Sequence, residues 1–188
     1  LLGENFADPN LFTKRNIAKI LTRIMKEGRY STELLMDYLS PIIDVDKIYS
    51  SKIDLVGITC QLPILMPLVK ERDEIPKEDF LSFMIASACF PIFKPMELWG
   101  KKLVDGGFWD NCPVNEMIKR GSKMNYVINQ QKVGRYHKLI NPNGAKVINI
   151  FPSEPIGDVF DLRRESIRKA IDLGYRNGKK ILLLKKFS

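Results

Sequence analysis

The residues of this chain best suited to chemistry are Asp105, Gly106 and Gly107, which close the short apolar run Leu103-Val104. An aspartate at the end of a strand, followed by two residues without side chains, offers a carboxylate on a backbone that another group can approach closely. That is a seat for a general base. Taken alone, Asp-Gly-Gly is ordinarily a turn, because both residue types favour turn geometry. A base also needs a nucleophile to act upon, and the 188 residues contain no Gly-x-Ser-x-Gly elbow. Ser50, Ser51, Ser82, Ser122, Ser153 and Ser166 lack flanking glycines at the elbow spacing. His137 is the single histidine and lies in a polar loop, where it reads as a surface residue, so a serine-histidine-aspartate triad would depend on it alone.

The elements that must position Asp105 can be read from periodicity. Ile17, Ile20, Leu21, Ile24 and Met25 recur at helical spacing with basic residues between them and Gly28 as a stop, which predicts an amphipathic helix packed on a sheet or a neighbouring helix. A second helix is predicted over Thr32 to Leu39, ended before Pro41. Two strands follow, Ile53 to Cys60 and Ile64 to Val69, and Pro63 and Pro67 assign the second to a sheet edge, since proline gives no donor to a central ladder. Pro76-Lys77-Glu78-Asp79 opens a buried apolar helix through Ala86. Lys102-Leu103-Val104 is a short strand into the Asp-Gly-Gly turn, and Pro113 starts a helix that Gly121 stops. Tyr126 to Ile128 and Val147 to Phe151 read as core strands separated by a polar loop from Lys132 to Gly144. A long helix from Glu165 towards Leu184 closes the chain. Alternating strands and helices predict a layered α/β fold in one domain spanning residues 1–188.

Composition bounds the function classes. A hydrophobic fraction of 45% with 28% charged residues is that of a globular domain, and no apolar run approaches the roughly 20 residues of a membrane span. Lysine plus arginine numbers 30 against 22 acidic residues, a net charge of +8 that favours anionic partners without choosing among them. Cys60, Cys89 and Cys112 are far apart and form no Cys-x-x-Cys pair, which speaks against a zinc site or a disulfide framework and for a reducing, cytoplasmic compartment. No cofactor or metal is implied. Leu1-Leu2-Gly3 lacks an initiator methionine, so targeting stays open.

The ordered combination of Asp54-Leu55-Val56-Gly57-Ile58-Thr59, Ala86-Ser87-Ala88-Cys89-Phe90-Pro91, Leu103-Val104-Asp105-Gly106-Gly107 and Asn111-Cys112-Pro113 resembles the patatin-like phospholipase family. The resemblance extends to the closing Leu173-Gly174-Tyr175 and its lysine-rich helix. It implies a patatin-like layered α/β fold, with a central, mostly parallel sheet flanked by helices. It also implies a serine acyl hydrolase with a serine-aspartate dyad and no catalytic histidine, acting on a lipid ester. Asp105 would be the dyad base. Gly106 and Gly107 would let the turn pass under the nucleophile, Ser87 would match a structural serine, and Pro91, Phe93 and Phe108 would shape the site. Trp99, Trp109 and Phe90 suit either an acyl-chain pocket or the core. The family's glycine-rich oxyanion loop and serine elbow are not in these residues, so the expectation is the C-terminal portion of the domain, inactive by itself, with the N-terminal part absent. The alternative is an inactive basic α/β module on anionic membrane or nucleic acid, through Lys132, Arg135 and Lys138 and through Lys179, Lys180, Lys185 and Lys186. Nucleic acid is the less expected partner, since neither a stacking motif nor a phosphate-cradling glycine loop accompanies the charge.

Overall fold

Val56, Ile58, Thr59 and Cys60 are β-branched or apolar over a strand's length, and they form β1 (Val56–Gln61), the most buried strand of the larger sheet. The computed structural model describes residues 31–90, 93–129, 136–141, 143–157 and 163–184. The helix predicted over Ile17 to Met25 lies outside them. Of the described residues, those up to Asn111 gather into one compact unit and those from Cys112 onward into another.

In the first unit, α1 (Glu33–Leu39) and the short α2 (Val45–Tyr49) precede the sheet. The sequence reading lacks α2, whose start is fixed by the Asp44 side chain accepting the Lys47 amide at 2.9 Å. Then come β1, β2 (Met66–Glu71), α3 (Phe80–Ser87), β3 (Met96–Leu98) and β4 (Lys101–Asp105), with sheet order β2-β1-β4-β3. The proline argument holds, since β2 is an edge strand. It starts two residues later than predicted because Leu62 to Leu65 form the turn.

Every pairing in this sheet is antiparallel, with Ile58 opposite Val69 on one side and Cys60 opposite Val104 on the other. This departs from the mostly parallel sheet that the resemblance implies. For two of the three pairings the reason is the connection: parallel neighbours need a crossover of a dozen or more residues, while β1–β2 and β3–β4 are joined by tight turns. The β3–β4 hairpin, absent from the sequence reading, turns on Trp99 and Gly100, both at positive φ (53° and 68°). That is the backbone of a two-residue hairpin turn, in an unusual sequence for it. Trp99 is held there by stacking on Phe83 (ring centroids 5.7 Å) and by its indole N–H donating to Asp79 at 2.7 Å.

Side chains alternate across the sheet. Cys60, Leu62, Val104 and Phe108 pack together in one cluster, and Leu103 joins Ile75, Phe80, Phe83 and Ala86 in another. Each large side chain so buried contributes about 1.5–3 kcal/mol. Arg72, at the end of β2, is largely buried and its Nη1 donates to the carbonyls of Ile48, Ser51 and Ile53 at 2.9–3.1 Å, tying α2 and its following loop to the sheet.

The second unit holds α4 (Val114–Lys119), the parallel pair β5 (Met124–Ile128) and β6 (Lys146–Ile150), and α5 (Arg164–Leu184). These two strands are parallel, but as a separate two-stranded sheet and not as part of the expected central sheet. The two strands are half-covered rather than core strands: Asn125 and Val127 are buried, while Met124, Tyr126 and Ile128 are exposed at period two. Buried Asn115 clamps the loop that follows, donating to Lys138 O at 3.0 Å and accepting from Ile140 N at 2.8 Å. Among the described residues no helix is long and apolar enough to cross a membrane.

α3 packs on β1 at Gly57, where an added Cβ would stand 2.7 Å from the Phe83 ring, and Phe83 is fully buried and has nowhere to go. Gly57→Ala is therefore expected to lower stability by about 1–3 kcal/mol, the usual cost of overpacking, measured by denaturant unfolding.

Candidate active site

The end of β4 is where the candidate base is made. Strand geometry carries the chain to Asp105, which lies directly across the ladder from Thr59 in β1. The Asp105 backbone N–H donates to the carbonyl of Cys89, just past the end of α3, at 3.1 Å. Its side chain then caps a single 3₁₀ turn, Gly106–Phe108, with Oδ1 accepting the Gly107 amide at 2.7 Å. Backbone and side chain of Asp105 are thus both fixed locally.

Gly106 sits against β1. An added Cβ there would lie 2.8 Å from the Ile58 carbonyl carbon and closer still to its oxygen. That same oxygen accepts the Ser87 hydroxyl at 2.7 Å. Three sequence motifs therefore meet at one carbonyl: the Gly57-Ile58-Thr59 strand, the Ser87-Ala88-Cys89 segment and the Asp105-Gly106 turn. Sequence reading expects Ser87 to cap or hydrogen-bond locally; instead its hydroxyl reaches the backbone of a neighbouring strand, 29 residues away.

Burial raises the pKa of Asp105 above the ordinary carboxylate value, and the Gly107 N–H, which favours the ionised form, opposes it. The carboxylate is a stronger base than a solvated aspartate. The neighbouring thiol moves in the opposite functional direction. Cys89 is buried and its thiol is pushed up to about 11, chiefly by that burial, while its Sγ donates to Lys94 O at 3.0 Å. It stays protonated at neutral pH and is no nucleophile.

The other residues that sequence reading assigned to the site divide. Phe108 is buried with Cys60, Leu62 and Val104, and half-buried Trp109 packs on that cluster, so both support the turn from within the core. Phe93 and Phe90 are half-buried and adjacent, the Phe93 N–H donating to Phe90 O at 2.9 Å. Trp99 belongs to the β3–β4 turn. Pro91 lies outside the described residues, as do Lys132, Arg135, Lys185 and Lys186. Among the described residues no group of three or more histidine, cysteine or acidic side chains is arranged to hold a metal.

Two features escape sequence reading. The Ile58 carbonyl is a backbone atom, invisible to any motif. Thr59 is fully buried, and among the described residues its hydroxyl has no hydrogen-bond partner. The only signal for it was a hydroxyl in an otherwise apolar strand.

The family described as patatin-like phospholipase matches residues 4–118, a stretch that contains Ser87, Asp105, Gly106 and Gly107 and stops before α5. No curated protein matches the chain significantly.

The two glycines of the turn should respond differently to substitution. Gly106→Ala meets strand backbone and is expected to unfold the turn or the whole unit, seen as loss of the cooperative thermal transition. At Gly107 the nearest atoms are the side-chain oxygens of Asn111 and Asp105, at 3.0 and 3.1 Å, which can give way. Gly107→Ala is expected to keep the transition while displacing the carboxylate. A raised folded-state pKa makes the ionised Asp105 a net cost to stability once pH rises through the window between the ordinary and the raised value. Asp105→Asn should therefore melt at or above the wild-type temperature at pH 7, with the difference vanishing below about pH 4, the ordinary aspartate value.

Proposed function

The chain belongs to the patatin-like phospholipase family, whose members are lipid hydrolases, and on that premise we propose that it supplies the base of a serine-aspartate dyad in a lipid acyl hydrolase. Residues 1–188 are the C-terminal portion of the catalytic domain, and the serine and the oxyanion loop come from a part of the domain outside them. The observation that carries this reading is the Asp105 carboxylate, half-buried at a strand end, raised in basicity and fixed by the Gly107 amide.

In the reaction the serine hydroxyl attacks the ester carbonyl carbon while Asp105 takes its proton. The tetrahedral intermediate collapses, the C–O bond to the leaving alcohol breaks, and that oxygen takes the proton from Asp105. Water then adds to the acyl-enzyme, giving its proton to Asp105, and the serine oxygen recovers it as the fatty acid leaves. Asp105 carries one proton in each half-reaction and returns to its starting state. The turn suits the task because its Oδ1 is occupied by Gly107, which leaves the second oxygen for the transferred proton.

Three measurements follow, on a short-chain p-nitrophenyl ester. Asp105→Asn in the complete protein is expected to lose about 10²–10⁴-fold in kcat/KM, the usual contribution of a positioned general base; unchanged activity would sink the assignment. In the complete wild type, kcat/KM should fall on the acid side with an inflection above about 4, since the base must be ionised and its pKa is raised. The 188 residues alone should give no turnover.

A further inference from the structure

α5 carries an apolar stripe that nothing in its own unit covers. The helix runs over 21 residues and turns Leu173 inward, with Ala170 and Asn177 half-buried on the same side, where it lies against β6. Ile167, Ile171 and Tyr175 follow one another at four-residue spacing, so they share another face, and they are 43%, 64% and 70% exposed. Gly174, between Ile171 and Tyr175, is open as well: a Cβ added there would meet no atom within 4 Å. Isolated exposed apolar residues are ordinary, but three in register on one helix form a continuous surface.

The border of that stripe is basic. Arg164 and Arg168 stand three residues before Ile167 and Ile171 and begin the neighbouring four-residue row, which Arg176 and Lys180 continue, while Lys179 follows Tyr175 on the stripe itself and ends it with a cation. All of these cations are exposed, as is Lys169, which pairs with Glu165 at 2.8 Å; Asp172 is the one acidic residue within the basic row. An inward apolar side holds the helix to its unit. A second apolar side edged by cations fits an interface that is apolar inside and anionic at its rim.

We propose that α5 is an interfacial helix that lays Ile167, Ile171 and Tyr175 into the acyl boundary of an anionic phospholipid bilayer, with its flanking cations on the headgroup phosphates. The choice of a bilayer over a protein partner rests on charge complementarity: headgroups provide a continuous anionic surface parallel to the helix. The inference deepens the lipid-hydrolase reading, since a long-chain ester is presented at such a surface, but binding through α5 does not require Asp105.

The test is co-sedimentation of the complete protein with phosphatidylcholine vesicles, with and without phosphatidylserine. Wild type is expected to partition onto the vesicles containing phosphatidylserine, less as salt rises. Ile171→Glu/Tyr175→Glu should reduce partition about tenfold or more while leaving hydrolysis of a short-chain soluble ester unchanged. Lys179→Gln/Lys180→Gln keeps good helix formers at exposed positions, so it serves if the first variant misfolds, and it should weaken binding to the anionic vesicles alone. Wild type that stays in solution with both vesicle types would overturn the proposal, as would wild-type binding by the lysine variant. A dimer that the Glu variant converts to monomer, with vesicle partition unchanged, would also overturn it and assign the stripe to a second copy. Loss of esterase activity in Asp105→Asn with vesicle binding retained separates the two readings.

Discussion

At Gly106 the polypeptide turns in contact with the carbonyl of Ile58, in a space that no Cβ can enter. The contact is possible only because β1 and β4 are in the register that sets Thr59 opposite Asp105. Ser87 closes the arrangement from the helix side by donating to the same carbonyl, and the Asp105 amide reaches back to Cys89. A strand, a helix end and a turn are thereby referenced to one backbone atom. Shifting β4 against β1 by one residue would move Asp105 to the other face of the sheet and break the contact at Gly106 and the Asp105–Cys89 bond. The position of the carboxylate follows from packing that is mostly backbone, and backbone packing is rigid.

Rigidity here has an energetic counterpart. Taking a carboxylate out of water disfavours its charged form, and the single amide of Gly107 offsets only part of that. The same imbalance that destabilises the folded protein at neutral pH raises the basicity of Asp105, so the cost and the chemistry have one cause. The Cys89 thiol experiences a similar environment with the opposite consequence, since burial keeps an acid of higher pKa wholly protonated. Burial thus raises the basicity of one group and keeps the other protonated.

Much of this was legible in the sequence where the signal was local and strong. The apolar periodicity of α3 and α5, the β-branched run of β1, the edge role of the proline-bearing β2 and the Pro113-initiated α4 all correspond to observed elements, within a few residues at their ends. Local signals failed where structure depends on non-local partners. The β3–β4 hairpin turns on Trp-Gly rather than Asn-Gly, and Trp99 tolerates its positive φ because Phe83 and Asp79 hold it there. Strand direction is not written in strand composition at all; for β1–β2 and β3–β4 it follows from the short turns that join them, against the parallel expectation. At the site, Asp105 and its glycines could be found from residue type and order, whereas the Ile58 carbonyl and the buried Thr59 hydroxyl became visible only through the ladder that brings them to the same place.

On the proposed dyad reading, the fixed turn accounts for how a lone aspartate would serve where many hydrolases use histidine. A histidine base is already poised near neutral pH, but needs a third group to orient its ring and stabilise its cation. An aspartate needs no tautomer and forms no buried cation on accepting a proton; it becomes neutral, the form that burial favours. Its weakness is a low reference pKa, and desolvation at the end of β4 acts directly on that weakness. Orientation, the other task of a third catalytic group, falls to the Gly107 amide, which is supplied by the same turn. In that proposed role five consecutive residues, Leu103 to Gly107, would combine what a triad distributes over three separate segments, with the contact at Ile58 holding so short a stretch in place.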